Sequence, residues 1–324
     1  DPHICFGSID SQNWNLAIDS AGRGGITTAI EVPSEVLTYN TTKELEQKNI
    51  RIAKGLQDLG IPLNFFNYLL YSGSNLTEID QLGKQKHIIK GIVIQLDQEK
   101  REILDDDWDA LFRLAAQQDI PIVINSCNEN AKKFRDGETL LEKAIHYIEK
   151  WSNRLYVLNV ATQKEIDLLQ EARKRSLLIY AETTPQHLFP EDLSEAHHLW
   201  KALNNNVIET IGSGYSRNQE GRDRALYKGE NLSLLDPVFF FPFLLNAVHE
   251  KKISLEKLVQ LTSMNILDIL EIKKNHDCVL VDLEKEQTIQ KIHSHHSVNI
   301  QVKGWPIYSI IQGHVFSFTE KSPN

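Results

Sequence analysis

LYVLNVATQKEIDLL, residues Leu155–Leu169, holds the unit from which this chain is built. Its first six residues are apolar except Asn159, a run long enough for a buried strand and too short for a helix. Thr162 then stands where a helix N-cap is expected, and apolar residues recur at helical spacing through Gln163–Arg175. A strand, a short turn and an amphipathic helix follow one another within about twenty residues.

The same unit repeats outward in both directions. Strands are predicted at Ile4–Phe6, Thr27–Val32, Pro62–Leu70, Ile88–Leu96, Ile120–Ile124, Leu155–Val160, Leu177–Ala181 and Val207–Ile211. Helical patterns fill the spaces at Thr42–Leu56, Asp107–Gln118, Glu138–Trp151 and Gln163–Arg175, with Asn40 placed as a second N-cap. Strands alternating with helices give a parallel sheet covered on both faces by right-handed crossovers. An open doubly wound sheet shares that pattern, but eight units in 324 residues favour an α/β closed barrel of the (β/α)8 type, which takes roughly 250. Two more helices are expected at Pro237–Lys251 and Ser254–Leu270. The PVFFFPFLL run inside the first reads as a core helix, or as a subunit contact if it faces outward. Four short strands then follow at Cys278–Val281, Thr288–Ile292, Val298–Val302 and Ile307–Ser317, punctuated by Gly304, Trp305, Pro306 and Gly313. This divides the chain into a barrel, 1–275, and a small β appendage, 276–324.

A formal net charge of −9 argues against nucleic acid or an anionic membrane as partner. The longest apolar run, Val238–Leu245, is far too short to span a bilayer, and no signal peptide is visible. Three widely spaced cysteines, Cys5, Cys127 and Cys278, make a disulfide framework implausible and fit reduced thiols in the cytoplasm. The start at Asp1, without methionine and straight into apolar alternation, reads as a cut or processed one.

DPHICFG (Asp1–Gly7) resembles the strand-one signature of dihydroorotases and other cyclic amidohydrolases, D-x-H-x-H-F-R. AGRGGITTAIEVP (Ala21–Pro33), KGIVIQL (Lys90–Leu96), IPIVINSCNE (Ile120–Glu129), LYVLNVATQKEIDLL, AETTPQHL (Ala181–Leu188) and SLEKLVQLTSMNILDIL (Ser254–Leu270) are similar to later segments of that family, in order. DCVLVDLE (Asp277–Glu284) and GWPIYSIIQGHV (Gly304–Val315) resemble its C-terminal β-sandwich. The resemblance implies a TIM barrel of the metal-dependent hydrolase type with a small sandwich portion, whose N-terminal half is not found in this sequence. It also implies a homodimer.

Active members of that family hold two divalent metals at the barrel mouth through two strand-one histidines, a carbamylated strand-four lysine, histidines on strands five and six, and a strand-eight aspartate. Imidazoles and carboxylates suit zinc, and the aspartate handles the proton of the attacking hydroxide. Against that set, this chain keeps His3 but has Cys5 for the second histidine. Gly7 replaces the arginine that would bind a substrate carboxylate. The lysine position falls on Val93; Lys90, three residues away along a strand, is expected on the opposite face, and Gln95 shares the face of Val93 but forms no carbamate. The strand-five position is Asn125, or Ser126 with a slip of one, and the strand-six position is Asn159. The strand-eight T-D-H motif falls on Ser213, Gly214 and Tyr215, so that the catalytic aspartate becomes Gly214. Ser34 replaces an asparagine that follows the strand-two proline. His3 and Cys5 remain the only weak metal candidates, with Cys127 as a third ligand if its register cooperates, and a catalytic zinc needs three protein ligands.

Other residues invite chemistry but have plainer readings. His293, His295 and His296 read as a solvated loop or strand end, and His197 and His198 as surface. Glu182 and His187 read as hydrogen-bonded structural groups near the mouth. Gly22, Gly24 and Gly25 are in the wrong helix-to-strand order for a phosphate loop. Cys127 as a nucleophile would have only His3 as its base.

Three functions follow. The first is a catalytically silent dihydroorotase homologue with a structural or regulatory role in pyrimidine biosynthesis, which by resemblance assembles with aspartate transcarbamoylase and needs no cofactor. The second is an active cyclic-amide hydrolase with an altered or single-zinc site. The third is a small-molecule sensor using the barrel mouth. Hydroxide at neutral pH requires a metal that lowers the pKa of water from about 16 to about 7, and the losses at Val93, Asn125, Asn159 and Gly214 favour the first.

Overall fold

A computed structural model describes residues 1–7, 12–33, 41–94, 105–126, 138–189, 193–216, 236–293 and 296–317. The repeated unit folds as its pattern demands: β1 (Ile4–Cys5), α1 (Gln12–Arg23), β2 (Thr28–Glu31), α2 (Thr42–Leu59), β3 (Asn64–Leu70), α3 (Leu76–Ile79), β4 (Ile89–Ile94), α4 (Asp105–Gln117), β5 (Ile122–Asn125), α5 (Leu140–Trp151), β6 (Leu155–Leu158), α6 (Gln163–Lys174), β7 (Ile179–Thr183), α7 (Pro185–Leu188), α8 (Leu193–Asn204) and β8 (Thr210–Ile211). All eight expected strands are present. A further short strand, β9 (Tyr215–Ser216), was not expected.

The strands pair in parallel in the order β8-β7-β6-β5-β4-β3-β2-β1-β9. The two ends of that sheet, β8 and β9, are separated in the chain only by Gly212, Ser213 and Gly214. Thr210–Ser216 is therefore one interrupted last strand. Its first half pairs β7 through Glu182↔Thr210 and Thr183↔Ile211, and its second pairs β1 through Ile4↔Tyr215 and Cys5↔Ser216. The sheet thereby returns on itself as a barrel.

Alternation sorts the strand residues into two apolar layers. Ile30, Val32, Tyr68, Leu70, Val93, Val123, Tyr156 and Leu158 fill the barrel, and Ile266, Ile269, Leu270 and Ile272 close its base. Ile4, Phe6, Ala29, Leu69, Ile92, Ile94, Ile122, Ile124, Leu155 and Val157 face the surrounding helices. One charged pair lies between strand and helix, where Glu31 of β2 meets Lys48 of α2 and also accepts the Phe6 N–H at 3.1 Å.

Helix starts follow side-chain chemistry. Thr162 caps α6 in a full capping box with Glu165, as expected. Thr139 with Glu142 does the same for α5, and Thr41 with Glu44 for α2. Thr41 thus takes the capping role assigned to Asn40, which lies outside the described residues; Glu44, three residues on, decides the choice. The Pro237–Lys251 helix begins as a 3-10 turn, Pro237–Phe239, and continues as α9 (Phe240–His249), with Phe239, Phe240, Phe243, Leu244 and Leu245 buried. The next helix runs over Leu255–Val259 and Asn265–Ile269 with a π turn, Gln260–Met264, between them.

The four short strands expected near the C-terminus are two long ones and a short one, β10 (Cys278–His293), β11 (His296–Ile311) and β12 (His314–Ser317), in an antiparallel sheet. Gly304, Trp305 and Pro306 do not break β11, because the register shifts between Leu280 and Val281 and between Asp282 and Glu286 absorb the bend there. Gly313 does terminate a strand, in the tight turn Gln312–Gly313 with both φ positive. Ile289, Val302 and Trp305 pack this sheet on Phe239 and Phe243. Among the described residues, no helix is long and apolar enough to cross a membrane.

Candidate functional site

The strand ends at the barrel mouth bring His3, Glu182, Asn159 and Asn125 together. His3 precedes β1 and is 6% exposed; its Nδ1 lies 3.1–3.3 Å from the carboxylate of Glu182, which is fully buried on β7. The Glu182 backbone carbonyl accepts the N–H of Val160, next to Asn159 just past β6, at 2.9 Å. Asn159 in turn donates from Nδ2 to Asn125 Oδ1, at the end of β5, at 3.0 Å. Burial pushes the Glu182 carboxyl above its ordinary range, against the opposing pull of His3.

The last strand fastens to the other side of His3. Gly214 N–H donates to the His3 carbonyl at 3.0 Å and Ser213 Oγ to the same oxygen at 3.3 Å. Asp1 Oδ1 accepts both the His3 and the Ser213 backbone N–H at 3.0 Å, and Tyr215 N–H donates to Ser213 Oγ at 3.1 Å. Two tyrosines rise from the barrel beneath. Tyr68 donates to the Pro2 carbonyl at 3.0 Å, and the Tyr156 hydroxyl lies 2.7 Å from Thr210 Oγ1. Burial, and then the nearby Glu182 charge, hold both phenols well above their usual pKa.

The remaining positions read from sequence fall as follows. Cys5 is buried, and its thiol is pushed up to about 12 by burial and by Glu31, with hydrogen bonds from Gly7 and Ser216 only partly opposing this. At neutral pH it is a thiol, the poor form for a metal or an electrophile. Gly7 has φ +76. Val93 sits fully buried in the apolar interior with Val123 and Leu158. Ser126 uses its hydroxyl on the Leu158 carbonyl at 3.0 Å, leaving Asn125 as the β5 residue that meets Asn159. Ser34, Gln95 and Cys127 lie outside the described residues.

Lys90 requires a correction. Strict alternation placed it on the face opposite Val93, but the β3–β4 register shifts between Asn67 and Leu69 and breaks the alternation there. Lys90 Nζ lies 4.9 Å from the Phe66 ring and donates to the carbonyls of Lys86 and Glu271. Those groups belong to the barrel base, so its place along the strand, not its face, keeps it from the mouth.

His187 is half-buried on α7. His197 is exposed, whereas His198 is half-buried with Nε2 2.9 Å from the Ala161 carbonyl, so only the first is plain surface. His293 and His296 oppose one another in the β10–β11 register, and His295 lies outside the described residues. Glu182 was legible as a structural polar group, but its direct pairing with His3, 179 residues away, has no local signal.

These groups do not fit a pair of catalytic zinc ions. Asn125 and Asn159 bond one another as amides, Val93 is an apolar core residue, and no group of three or more His, Cys, Asp and Glu placed to hold a metal is found among the described residues, whereas a catalytic zinc needs three protein ligands. At Gly214 the backbone itself is unsuited to a carboxylate: φ is +64, and a Cβ would come within 2.8 Å of Thr184 Cγ2.

No known family profile matches the chain. It is 22% identical to a dihydroorotase of Methanosphaera stadtmanae over 89% of this chain and 75% of that one. It is 21% identical to an L-hydantoinase of Paenarthrobacter aurescens over 97% and 82%. In structure it is similar to the L-hydantoinase of Arthrobacter aurescens (TM-score 0.72, 19% identity, covering 98% of this chain and 84% of that one). It is also similar to the inactive dihydroorotase-like domain of the Chaetomium thermophilum CAD-like multifunctional protein (TM-score 0.72, 14% identity, covering 99% and 94%). The chain has the fold of these barrels, and its sequence is similar to the dihydroorotase and the L-hydantoinase.

Proposed function

We propose that this chain, an amidohydrolase-type barrel related to dihydroorotases and hydantoinases, is a catalytically silent member retained for a structural or regulatory role in pyrimidine biosynthesis. The observation that carries the reading is the bond between Asn125 and Asn159. Two positions that in an active barrel turn imidazoles toward a metal here satisfy each other. With Val93 in the apolar interior and Gly214 at the aspartate position, neither a metal-activated hydroxide nor the group that moves its proton is supplied. General acid–base help alone is worth about 10²–10⁴-fold, far short of what amide hydrolysis needs.

The fold does not need the metal. Replacing the carbamate and the aspartate by Val and Gly removes ions whose burial costs several kcal/mol each, and Asn in place of imidazole adds none. The role that remains is that of a surface: a cytoplasmic homodimer that binds aspartate transcarbamoylase. The structural likeness to an inactive dihydroorotase-like domain of a multifunctional protein is consistent with such a role.

The test combines three measurements on one preparation: zinc content, dihydroorotate and hydantoin turnover, and co-purification with aspartate transcarbamoylase from the same source. Absent turnover with a stable complex is the expected result. Turnover with stoichiometric zinc overturns the silent reading. Silence without association overturns the partner and leaves small-molecule binding at the mouth as the successor reading.

A further inference from the structure

The seam of the barrel is its weakest paired region. The other neighbours, apart from β1 and β2, share ladders of three or four registered pairs, whereas β8 with β7 and β9 with β1 share two each. The mouth network lies across this seam. His3 leads into β1, Glu182 is on β7, Asn159 follows β6, Asn125 ends β5, and Gly212–Tyr215 belongs to the last strand between β7 and β1. In a metal-holding barrel, ions at such a place would tie the same strands together.

We infer that the former metal centre has been rebuilt as a metal-independent clasp across the barrel seam, and that the last strand now bars the metal from returning. This rests on the proposed function only for which positions once held ligands; the clasp itself is read from contacts. The His3–Glu182 pair ties β1 to β7, the bond from Val160 N–H to the Glu182 carbonyl joins β7 to the end of β6, and the Asn159–Asn125 bond extends the tie to β5. Ser213 and Gly214 fasten the last strand to His3 and Asp1.

Two glycines make the clasp close. A Cβ at Gly212 would stand 2.9 Å from His3 Cβ and 3.1 Å from the Glu182 carboxyl carbon. The last strand passes the His3–Glu182 pair only because that side chain is missing. At Gly214 a Cβ meets Thr184 at 2.8 Å in a left-handed conformation, so an aspartate there needs the strand to move before it can reach a metal. The site has lost its ligands, and it has also lost the backbone path that held the last of them.

The test begins with the unaltered chain. Its thermal midpoint is expected to be the same, within about 1 °C, in excess zinc and in EDTA. Hydrogen exchange of the Gly212 and Gly214 amides is expected to be as slow in EDTA as that of the β5 amides. Glu182→Gln and His3→Gln are expected to lower the midpoint by roughly 5–10 °C, equally with zinc or chelator, and Gly214→Asp to lower it without acquiring zinc. Should these variants fail to fold, the exchange measurement alone decides. Stoichiometric zinc that raises the midpoint, or seam amides protected only when zinc is added, overturns the clasp. Zinc-free turnover of dihydroorotate would overturn the proposed function and leave the clasp standing. Zinc stabilisation without turnover would do the reverse.

Discussion

Gly212→Ala adds one methyl group at the tightest point of the seam. The position is outside the left-handed region, so the backbone accepts alanine, and in an open site the change would stabilise by about 0.4–1 kcal/mol through the unfolded chain. Here the new carbon arrives 2.9 Å from His3 Cβ and 3.1 Å from the Glu182 carboxyl carbon. Ordinary carbon contacts sit at about 3.5–4.0 Å, so one side must give by roughly half an ångström. Overpacking of this kind costs about 1–3 kcal/mol. The shift also loosens a hydrogen bond to a buried charged group, worth about 1.5–3 kcal/mol. Less the unfolded-state gain, the net loss is about 2–5 kcal/mol, or roughly 5–10 °C in a chain of this size. Thermal unfolding followed by circular dichroism reads it. Gly60→Ala is the control: Gly60 has φ +66 with nothing within 4 Å of a Cβ, so that variant carries conformational strain of about 1 kcal/mol and no clash. If Gly212→Ala unfolds at or above the temperature of Gly60→Ala, the seam is not closed on His3 and Glu182 as described.

Three further expectations can be checked in the same preparations. Burial, ahead of the opposing Arg173 ion pair at 2.5 Å, raises Glu209 to about 7. Its folded pKa lies above its unfolded one, so its contribution is complete below about pH 4.5 and is lost as pH rises to about 7. The change is of the order of 3 kcal/mol, and Glu209→Gln should flatten urea stability across that window. With its thiol near 12 and its side chain buried, Cys5 should stay unlabelled by iodoacetamide at pH 8 in the folded chain while exposed Cys278 reacts, as peptide mass mapping would show. Thr162→Ala removes the N-cap acceptor of Glu165 N–H at 3.3 Å and should cost about 1 kcal/mol in denaturant unfolding, whereas Thr162→Ser should cost little.

The sequence displays the barrel well because its information is local. Each strand is an apolar run, each helix an amphipathic period, and Thr162 announces its helix by a side chain three residues from Glu165. Legibility fails where period two fails. The shift at Asn67–Leu69 carried Lys90 to an unexpected place, and the bulges opposite Gly304–Pro306 let a proline and a glycine sit inside a sixteen-residue strand. The site was half legible. The resemblance names Cys5, Val93, Asn125, Asn159 and Gly214 one by one as the positions to look at. What the replacements do for one another could not be read, because the partners of Asn159, His3 and Ser213 lie on other strands. Gly212 carried no signal, since its importance is an empty volume defined by two side chains remote in sequence.

The last strand also sets the order of events in folding. Ser213 and His3 are 210 residues apart, among the most distant contacts in the chain, while helix caps and neighbouring strands join across a few tens of residues. Closing so long a loop is entropically unfavourable until the intervening units have collapsed. The His3–Glu182 contact is therefore expected to form late, once the eighth unit has arrived, and a φ-value near zero for His3→Gln would check it. Interactions made that late govern how fast the native state opens rather than how fast it assembles. Substitutions at the seam should accordingly accelerate unfolding and leave the refolding rate nearly unchanged, so that the rebuilt centre acts as a kinetic latch on a barrel whose other strands are already in place.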